Sequence, residues 1–452
     1  MLASSTREHF SRCWNNRLGH YRRYSLQESS DSEDNSSDGS RSRKISDESL
    51  SGTSVSGGND SPPLSSRALR RKVRTAATKR SSPNRMMMLG NDDAREFLYS
   101  PSDFVWGILY SDYVFNEKPQ PTKFDLLLQS TWKSAGDSGV FRYKLDTVDT
   151  KVIKGDFGFI AQLNTKRAQE RRPPENFIKM TEIFDANKFN FTRIKKDEML
   201  FEMKCPAEET TARSNDRGDF IVANVSPLEY CHVLLVPKLY ACQPQVLTAD
   251  SLRLALHALL LSGTWKLRVG FNSIGALASV NHLHLHAYYL AHNLPTETLP
   301  AEPFAGPCHL VANYPASGFV FQFPPLKRRS EGSLMGELDF FIKDVYTFVD
   351  RLQQSDIPHN IFITRGTPLY AQMSRQHLVI RLYVWTRDFA YGMKDTTAFN
   401  AALAELSGHV PVKTEEGYKN IKEKDVCTVL GDVTQEMFLR AKPIALKLFK
   451  SS

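Results

Sequence analysis

Polar and apolar positions alternate most regularly over residues 281–290, NHLHLHAYYL, where His282, His284 and His286 take every second position and Leu283, Leu285 and Ala287 the ones between. A strand rises about 3.3 Å per residue and sends successive side chains to opposite faces, so the three imidazoles are expected on one face, neighbours about 7 Å apart, with the apolar set in a core. Upstream, residues 124–132 (FDLLLQSTW) have the spacing of a short amphipathic helix, and Ser138-Gly139 punctuates into a strand start at 140–143. Extended segments are predicted at 158–164, 189–192, 199–203, 220–224 and 231–236, the last stopped by Pro237. The charged, proline-broken run 166–174 (KRAQERRPP) reads as a surface loop. Asp250 is positioned to cap a helix over 251–262, after which the chain returns through 267–271 to the histidine strand.

Residues 301–452 repeat this grammar, with a helix over 336–354, strands over 360–365 and 378–386, a helix over 395–406 and a final helical region. The order predicts an α+β fold with an antiparallel sheet and flanking helices. Composition changes the picture at the N-terminus. Residues 26–66 are dominated by Ser, Asp, Gly and Asn and lack the apolar content to offset chain entropy, so a disordered tail is expected over 1–90. That tail holds 16 Lys/Arg against 9 Asp/Glu out of a total net charge of +8, including a basic run over 67–85. The folded part is therefore nearly neutral, and the basic pI does not argue for nucleic acid as its partner.

Six cysteines (Cys13, Cys205, Cys231, Cys242, Cys308 and Cys427) lack CxxC spacing, which speaks against a disulfide framework or cysteine zinc site and fits a reducing, cytoplasmic setting. The five arginines and single glutamate of the first 25 residues also raise a mitochondrial presequence. No apolar run reaches the roughly 18 residues needed to span a bilayer, so no membrane partner is expected.

A row of imidazoles on one face serves as a metal site, as a nucleophile with its supports, or as a structural set whose six ring nitrogens all need partners. No fourth ligand with zinc spacing presents itself, so nothing in the residues demands a metal, and the three readings stay open at this point. The preceding FNSIGALASV, residues 271–280, brings Asn272, Gly275 and Ser279 to the foot of the histidine strand, in a small-residue loop whose amides can hold anionic oxygen. About fifty residues earlier stand NVSP at 224–227 and HVLLVPK at 232–238.

The HxLxxP strand, the Ser-bearing small-residue loop and HxHxH, in that order, resemble the histidine-triad nucleotide transferase and hydrolase superfamily. Longer blocks, GVFRYKLDTVDTKVIKGDFGFIAQLN, KFNFTRIKKDEMLFEM, NVSPLEYCHVLLVPK and ELSGHVPVK, resemble the GDP-hexose phosphorylases of plants and animals over about residues 124–438. The plant enzymes carry Gln at the third triad position, where this chain has His286 as the animal branch does. The resemblance implies a histidine-triad, galactose-1-phosphate-uridylyltransferase-like sheet in two halves, a catalytic one over 91–300 and a C-terminal one over 301–452 that completes the site.

It also implies GDP-D-glucose and inorganic phosphate as substrates, no cofactor, and His284 as a nucleophile that carries the guanylyl group. In that scheme His282 orients His284, and His286 lies near the phosphoryl oxygens or the leaving group. Asn272 and Ser279 are candidates for the α-phosphate oxygens and Asn224 for the ribose. A phosphate pocket needs cations, and Arg365, Arg381, Arg387 and Lys394 are available for it in the C-terminal half. His232 reads as a structural member of its strand. A triad hydrolase, a hexose-1-phosphate guanylyltransferase and a nucleotide-responsive binding protein are the competing readings, and a homodimer is open.

Overall fold

The structure, a computed structural model, describes residues 95–115, 120–145, 148–172, 175–206, 218–324, 333–370, 376–390 and 398–450. The 1–90 tail with its basic run, and Lys394, lie outside the described residues. In chain order the strands are β1 (Glu96–Leu98), β2 (Thr150–Val152), β3 (Ile160–Leu163), β4 (Met199–Lys204), β5 (Asp219–Ala223), β6 (Val233–Val236), β7 (Leu267–Asn272), β8 (Leu285–Tyr289), β9 (Ala301–Ala305), β10 (Cys308–Val311), β11 (Phe319–Phe323), β12 (His359–Gly366), β13 (Val379–Thr386) and β14 (His409–Val412). The helices are α1 (Tyr110–Phe115), α2 (Lys123–Asp137), α3 (Thr165–Glu170), α4 (Ala249–Leu261), α5 (Leu334–Gln354), α6 (Leu403–Ser407), α7 (Glu415–Asn420) and α8 (Glu423–Phe449). Among the described residues no helix is long and apolar enough to cross a membrane.

Eleven strands form one sheet in the order β1-β4-β5-β6-β8-β7-β12-β13-β11-β10-β9, antiparallel throughout except where β1 meets β4. Strands from before and after residue 300 join through β7 and β12, with Asn272 opposite Asn360. Period-two alternation sorts the side chains. Leu285, Ala287 and Tyr289 of β8, Val233 and Leu235 of β6 and Ile361 and Ile363 of β12 pack under α2, α4, α5 and the end of α8. His286, Tyr288, Asn360 and Phe362 take the other face, partly covered by a small sheet ordered β14-β3-β2. The α+β architecture with an antiparallel sheet and flanking helices is the one the sequence predicts.

Several predicted elements differ, each for a local reason. Residues 140–143 are not a strand: Phe141 stacks on Trp132 at 4.7 Å, the Arg142 amide donates to the Val225 carbonyl at 2.8 Å and the Tyr143 hydroxyl to that of Pro227 at 2.6 Å, which drapes the segment over α2 and the 225–227 loop. Residues 189–192 turn instead of extending, because the Asn190 side chain accepts the Thr192 amide at 3.1 Å and starts a 3-10 turn over Phe191–Arg193. The expected loop over 166–174 begins as α3, capped by Asn164. Thr248, not Asp250, caps α4, and Asp250 pairs with Lys238 at 2.7 Å. Of the helix expected over 395–406, the described residues from 398 hold only α6, because the extended backbone at Ala402 breaks it and the Glu405 carboxylate caps the Ala402 amide at 2.9 Å; residues 395–397 lie outside the described residues. Strands β9 to β11 were not foreseen from the pattern.

One buried carboxylate ties α2 to the histidine strand. Asp125, shut from solvent, accepts from the Tyr289 hydroxyl at 2.6 Å, the Ser262 hydroxyl at 2.7 Å, the amides of Thr122 and Gly263 at 2.9 Å each, and the Thr122 hydroxyl at 3.0 Å. Gly263 is required there, since a Cβ would lie 2.3 Å from the Gln120 carbonyl oxygen. Replacing Asp125 by Ala strands those donors inside the protein. The substitution is expected to cost roughly 3 kcal/mol of stability, read as a lower urea midpoint at unchanged slope.

Candidate active site

The three histidines share one side of their segment, but only His286 belongs to a ladder, since β8 begins at Leu285. The backbone of residues 281–284 is held by other means. The Gln245 side chain accepts the His284 amide at 2.9 Å and donates to the His284 carbonyl at 3.0 Å and the Asn272 carbonyl at 2.9 Å. The Leu283 amide reaches the Gln243 carbonyl at 2.9 Å, and the Gln245 amide reaches Asn281 Oδ1 at 2.8 Å. A side-chain amide thus does for His284 what a neighbouring strand does for His286. Leu283, Leu285 and Ala287 enter the main core as the alternation requires.

Hydrogen bonds to these rings fix their tautomers. Nδ1 of His232 accepts the Leu228 amide at 2.8 Å, so the ring proton sits on Nε2. Nε2 of His232 lies 3.1 Å from Nδ1 of His286, which must then accept, leaving a proton on His286 Nε2. Nδ1 of His284 lies 2.7 Å from the carbonyl oxygen of His282, which has no proton to give, so Nδ1 carries the proton and Nε2 keeps a free lone pair. The His282 ring is held by a different group: its Nδ1 accepts the Phe191 amide at 3.0 Å. His282 therefore orients His284 through its carbonyl. His232, expected to be structural, sets the proton on His286 and is a member of the constellation; its signal in the sequence was the short polar NVSP turn leading into its strand.

The rings of His284 and His286 are centred 5.2 Å apart, and Phe191 lies 5.0 Å from His284. A cleft of about 270 Å³ opens on this face and is lined by His286, His232, Asn272, Ser279, Asn224 and Phe191, among others. His284 and His282 are not among its lining residues; both are buried and pack against Phe191. Oδ1 of Asn272 accepts from Asn360 Nδ2 at 2.6 Å and the Leu403 amide at 3.2 Å, so the group it has left for a ligand is its NH2. Ser279 is half-buried on the cleft wall. Asn224 Nδ2 lies 3.3 Å from His232 Nε2, and its Oδ1 accepts the Ser226 amide at 3.0 Å. The 273–280 loop is less open than its composition suggests, because the amides of Ala276 and Ala278 both bond the Ser273 carbonyl.

Arg365, Arg381 and Arg387 are elsewhere. Arg365 is fully buried and donates to the carbonyls of Val105, at 2.6 Å, and Leu259. Arg381 donates to the carbonyls of Thr367 and Leu299, and Arg387 to that of Ala401. None of the three lines the cleft, so the expectation that Arg365 belongs to the substrate site is corrected. The cleft takes its positive charge from Arg142, Arg167, Arg171, Arg172 and Lys413. The signal was present in the arginines of the 166–174 run, of which α3 carries Arg167 while Arg171 and Arg172 follow its end. Among the described residues no group of three or more His, Cys, Asp or Glu side chains is arranged to hold a metal ion.

An arginine-lined cleft beside neutral imidazoles suits an enzyme that acts on a phosphate-bearing substrate. Within that class the chain belongs to the GDPGP1-like family: the model of its N-terminal domain matches residues 123–288 and that of its C-terminal domain residues 292–451. The chain is 42% identical to GDP-D-glucose phosphorylase 1 of Homo sapiens over 77% of its own length and 94% of the relative's. It is 32% identical to GDP-L-galactose phosphorylase 2 of Arabidopsis thaliana over 71% of its own length and 74% of the relative's. Among solved structures, yeast Ap4A phosphorylase Apa2 in complex with AMP superposes with a TM-score of 0.47 and 15% identity, covering 70% of this chain and 97% of that one.

Burial makes the histidines weak bases. It lowers His282 and His284 to about 4, opposed in His284 by the carbonyl of His282, and carries His232 and His286 well below the ordinary value. Burial also lowers His257 and His359 to about 4 and His409 to about 3. An unfolded chain takes up these protons as pH falls below about 6.5, whereas the folded chain does not, so each histidine withdraws stability between about pH 6.5 and about pH 4. Burial raises Asp219 to about 6 and Glu405 to about 7, which acts in the opposite sense, but the histidines are more numerous. The thermal unfolding midpoint is accordingly expected to fall steadily between pH 7 and pH 5; a flat or rising midpoint would contradict the neutral assignment.

Proposed function

We propose that the chain is a GDP-hexose phosphorylase that converts GDP-D-glucose and inorganic phosphate to α-D-glucose 1-phosphate and GDP through a guanylylated His284. The observation that carries this reading is the pair of complementary tautomers: a lone pair free on His284 Nε2 and a proton held on His286 Nε2, with ring centres 5.2 Å apart. The names of the relatives support the choice of nucleotide and acceptor.

In the first half-reaction His284 Nε2 attacks the α-phosphorus and the bond to the bridging oxygen of the β-phosphate breaks, its electron pair leaving with glucose 1-phosphate. The nucleophile is neutral already and needs no base. His286 donates its Nε2 proton as a hydrogen bond to an oxygen at the reacting phosphorus, where negative charge accumulates. The NH2 of Asn272 and the hydroxyl of Ser279 are the further donors for the α-phosphate, with Asn224 beside the ribose. In the second half-reaction an anionic oxygen of inorganic phosphate attacks the same phosphorus and the electron pair of the N–P bond returns to the imidazole, releasing GDP. Gln245 and His232 are positioning residues, the first for the backbone of His284 and the second for the proton on His286. Phe191, packed on His284, shields the N–P bond from water while phosphate is awaited.

Incubating the full chain with GDP-D-glucose, with and without inorganic phosphate, tests the reading. GDP formed only with phosphate, with equal glucose 1-phosphate, is expected, and His284→Ala should lower the rate by about three orders of magnitude or more. GMP formed regardless of phosphate would make the protein a hydrolase and overturn the reading.

A further inference from the structure

The wall of the cleft formed by α3 and the 224–228 loop collects donors that have nothing to donate to. Asn164 caps α3 by accepting the Arg167 amide on Oδ1 at 3.0 Å, which leaves Nδ2, near the Tyr143 hydroxyl, shut from solvent without a hydrogen-bond partner. Ser226 is buried to 6% exposure and its hydroxyl is also without a partner. Both residues line the cleft. The guanidinium of Arg167 joins them, one of its nitrogens donating to the carbonyl of Ser226 and the group as a whole close enough to His232 and His286 to make both less basic. A buried polar group left unpaired costs roughly 1–3 kcal/mol, and two of them beside an arginine on the wall of a cleft call for an oxyanion.

The neighbouring charges narrow what that oxyanion is. Arg172 lies over the ring of Phe189 at 3.1 Å, and Arg142 donates to the carbonyl of Glu170 at 2.6 Å, so both heads are engaged along the rim. Lys413, which donates to Asn400 at 3.0 Å, adds a cation to the lining, while Glu405 is a carboxyl beside it. Ser226 is two residues from Asn224, whose amide touches His232, which touches His286 in turn. The donor set therefore flanks the proton that His286 presents to the reacting phosphorus.

Both half-reactions displace a group at one phosphorus, and His284 occupies one apical position in each. The departing β-phosphate of the nucleotide sugar and the incoming inorganic phosphate must both use the opposite position, so one subsite serves the two. We propose that Arg167, Asn164 and Ser226 form this subsite and select a phosphate anion over water as the acceptor. The proposal rests on the phosphorylase reading above and adds the residues that choose the acceptor. A neutral water molecule gains little from a guanidinium, whereas a phosphate dianion gains a charge-assisted pair and two further hydrogen bonds.

Two measurements on the full chain test it. With GDP-D-glucose as substrate, Arg167→Met is expected to raise the KM for inorganic phosphate at least tenfold and to increase the ratio of GMP to GDP formed. Arg167→Lys should restore part of the preference, and Ser226→Ala should shift the KM several-fold without disturbing folding. Separately, inorganic phosphate titrated without nucleotide should raise the thermal midpoint of the wild type and leave that of Arg167→Met unmoved. Equal stabilisation of both proteins, or a wild-type KM and product ratio in Arg167→Met and Ser226→Ala, overturns the subsite. Selective stabilisation of the wild type by phosphate, with no phosphate-dependent GDP, upholds the anion subsite and removes the phosphorylase reading instead.

Discussion

The hydrogen bond from the Leu228 amide to Nδ1 of His232, 2.8 Å long, is the constraint on which the rest of the site depends. A backbone N–H can only donate, so this one contact decides which nitrogen of His232 is protonated, and through it which nitrogen of His286 is. The carbonyl of His282 imposes the opposite choice on His284 in the same way. The result is a ring lone pair and a ring donor side by side, set by two backbone groups whose polarity no change of pH alters. Burial adds the second requirement, because a doubly protonated ring could not accept within the chain, and the low basicity of all four imidazoles keeps them neutral.

The fold supplies these contacts from distant parts of the chain. The sheet brings the strand of His232 beside that of His286, with Leu234 opposite His286. The alternation that puts imidazoles on the cleft face also puts Leu283, Leu285 and Ala287 under the helices, so the chemistry of one face is anchored by the burial of the other. Asp125 pins the far end of the same strand through Tyr289, and Gln245 holds the backbone at its near end. The histidine segment is thus fastened at both ends and along its back, which holds its rings in fixed positions.

What the sequence made legible followed from local periodicity. The histidine row, the burial of its alternating partners and most of the strands of β4 to β8, β12 and β13 could be read because each depends on residues within one segment. The misreadings have the opposite character. Nothing near Arg365 announces that the carbonyls of Val105 and Leu259 come to meet it and turn a free-looking cation into a structural one. The arginines after Asn164 looked like surface because proline breaks the run, yet the Asn164 cap starts a helix that carries Arg167, and Arg167, Arg171 and Arg172 all line the cleft. The apolar 189–192 segment had strand composition, and a single side-chain acceptor, Asn190, was enough to turn it and set Phe191 against two histidines. Long-range partners and caps decided these cases, and neither is carried by hydrophobic spacing.

The most direct test of the account is the protonation of the rings themselves, read from long-range 1H–15N correlations of the 15N-histidine-labelled full chain near pH 7, with assignments made by single substitutions. The account predicts neutral rings, with His284 protonated on Nδ1 and His232 and His286 protonated on Nε2. An imidazolium at any of the three, or His286 protonated on Nδ1, would contradict it.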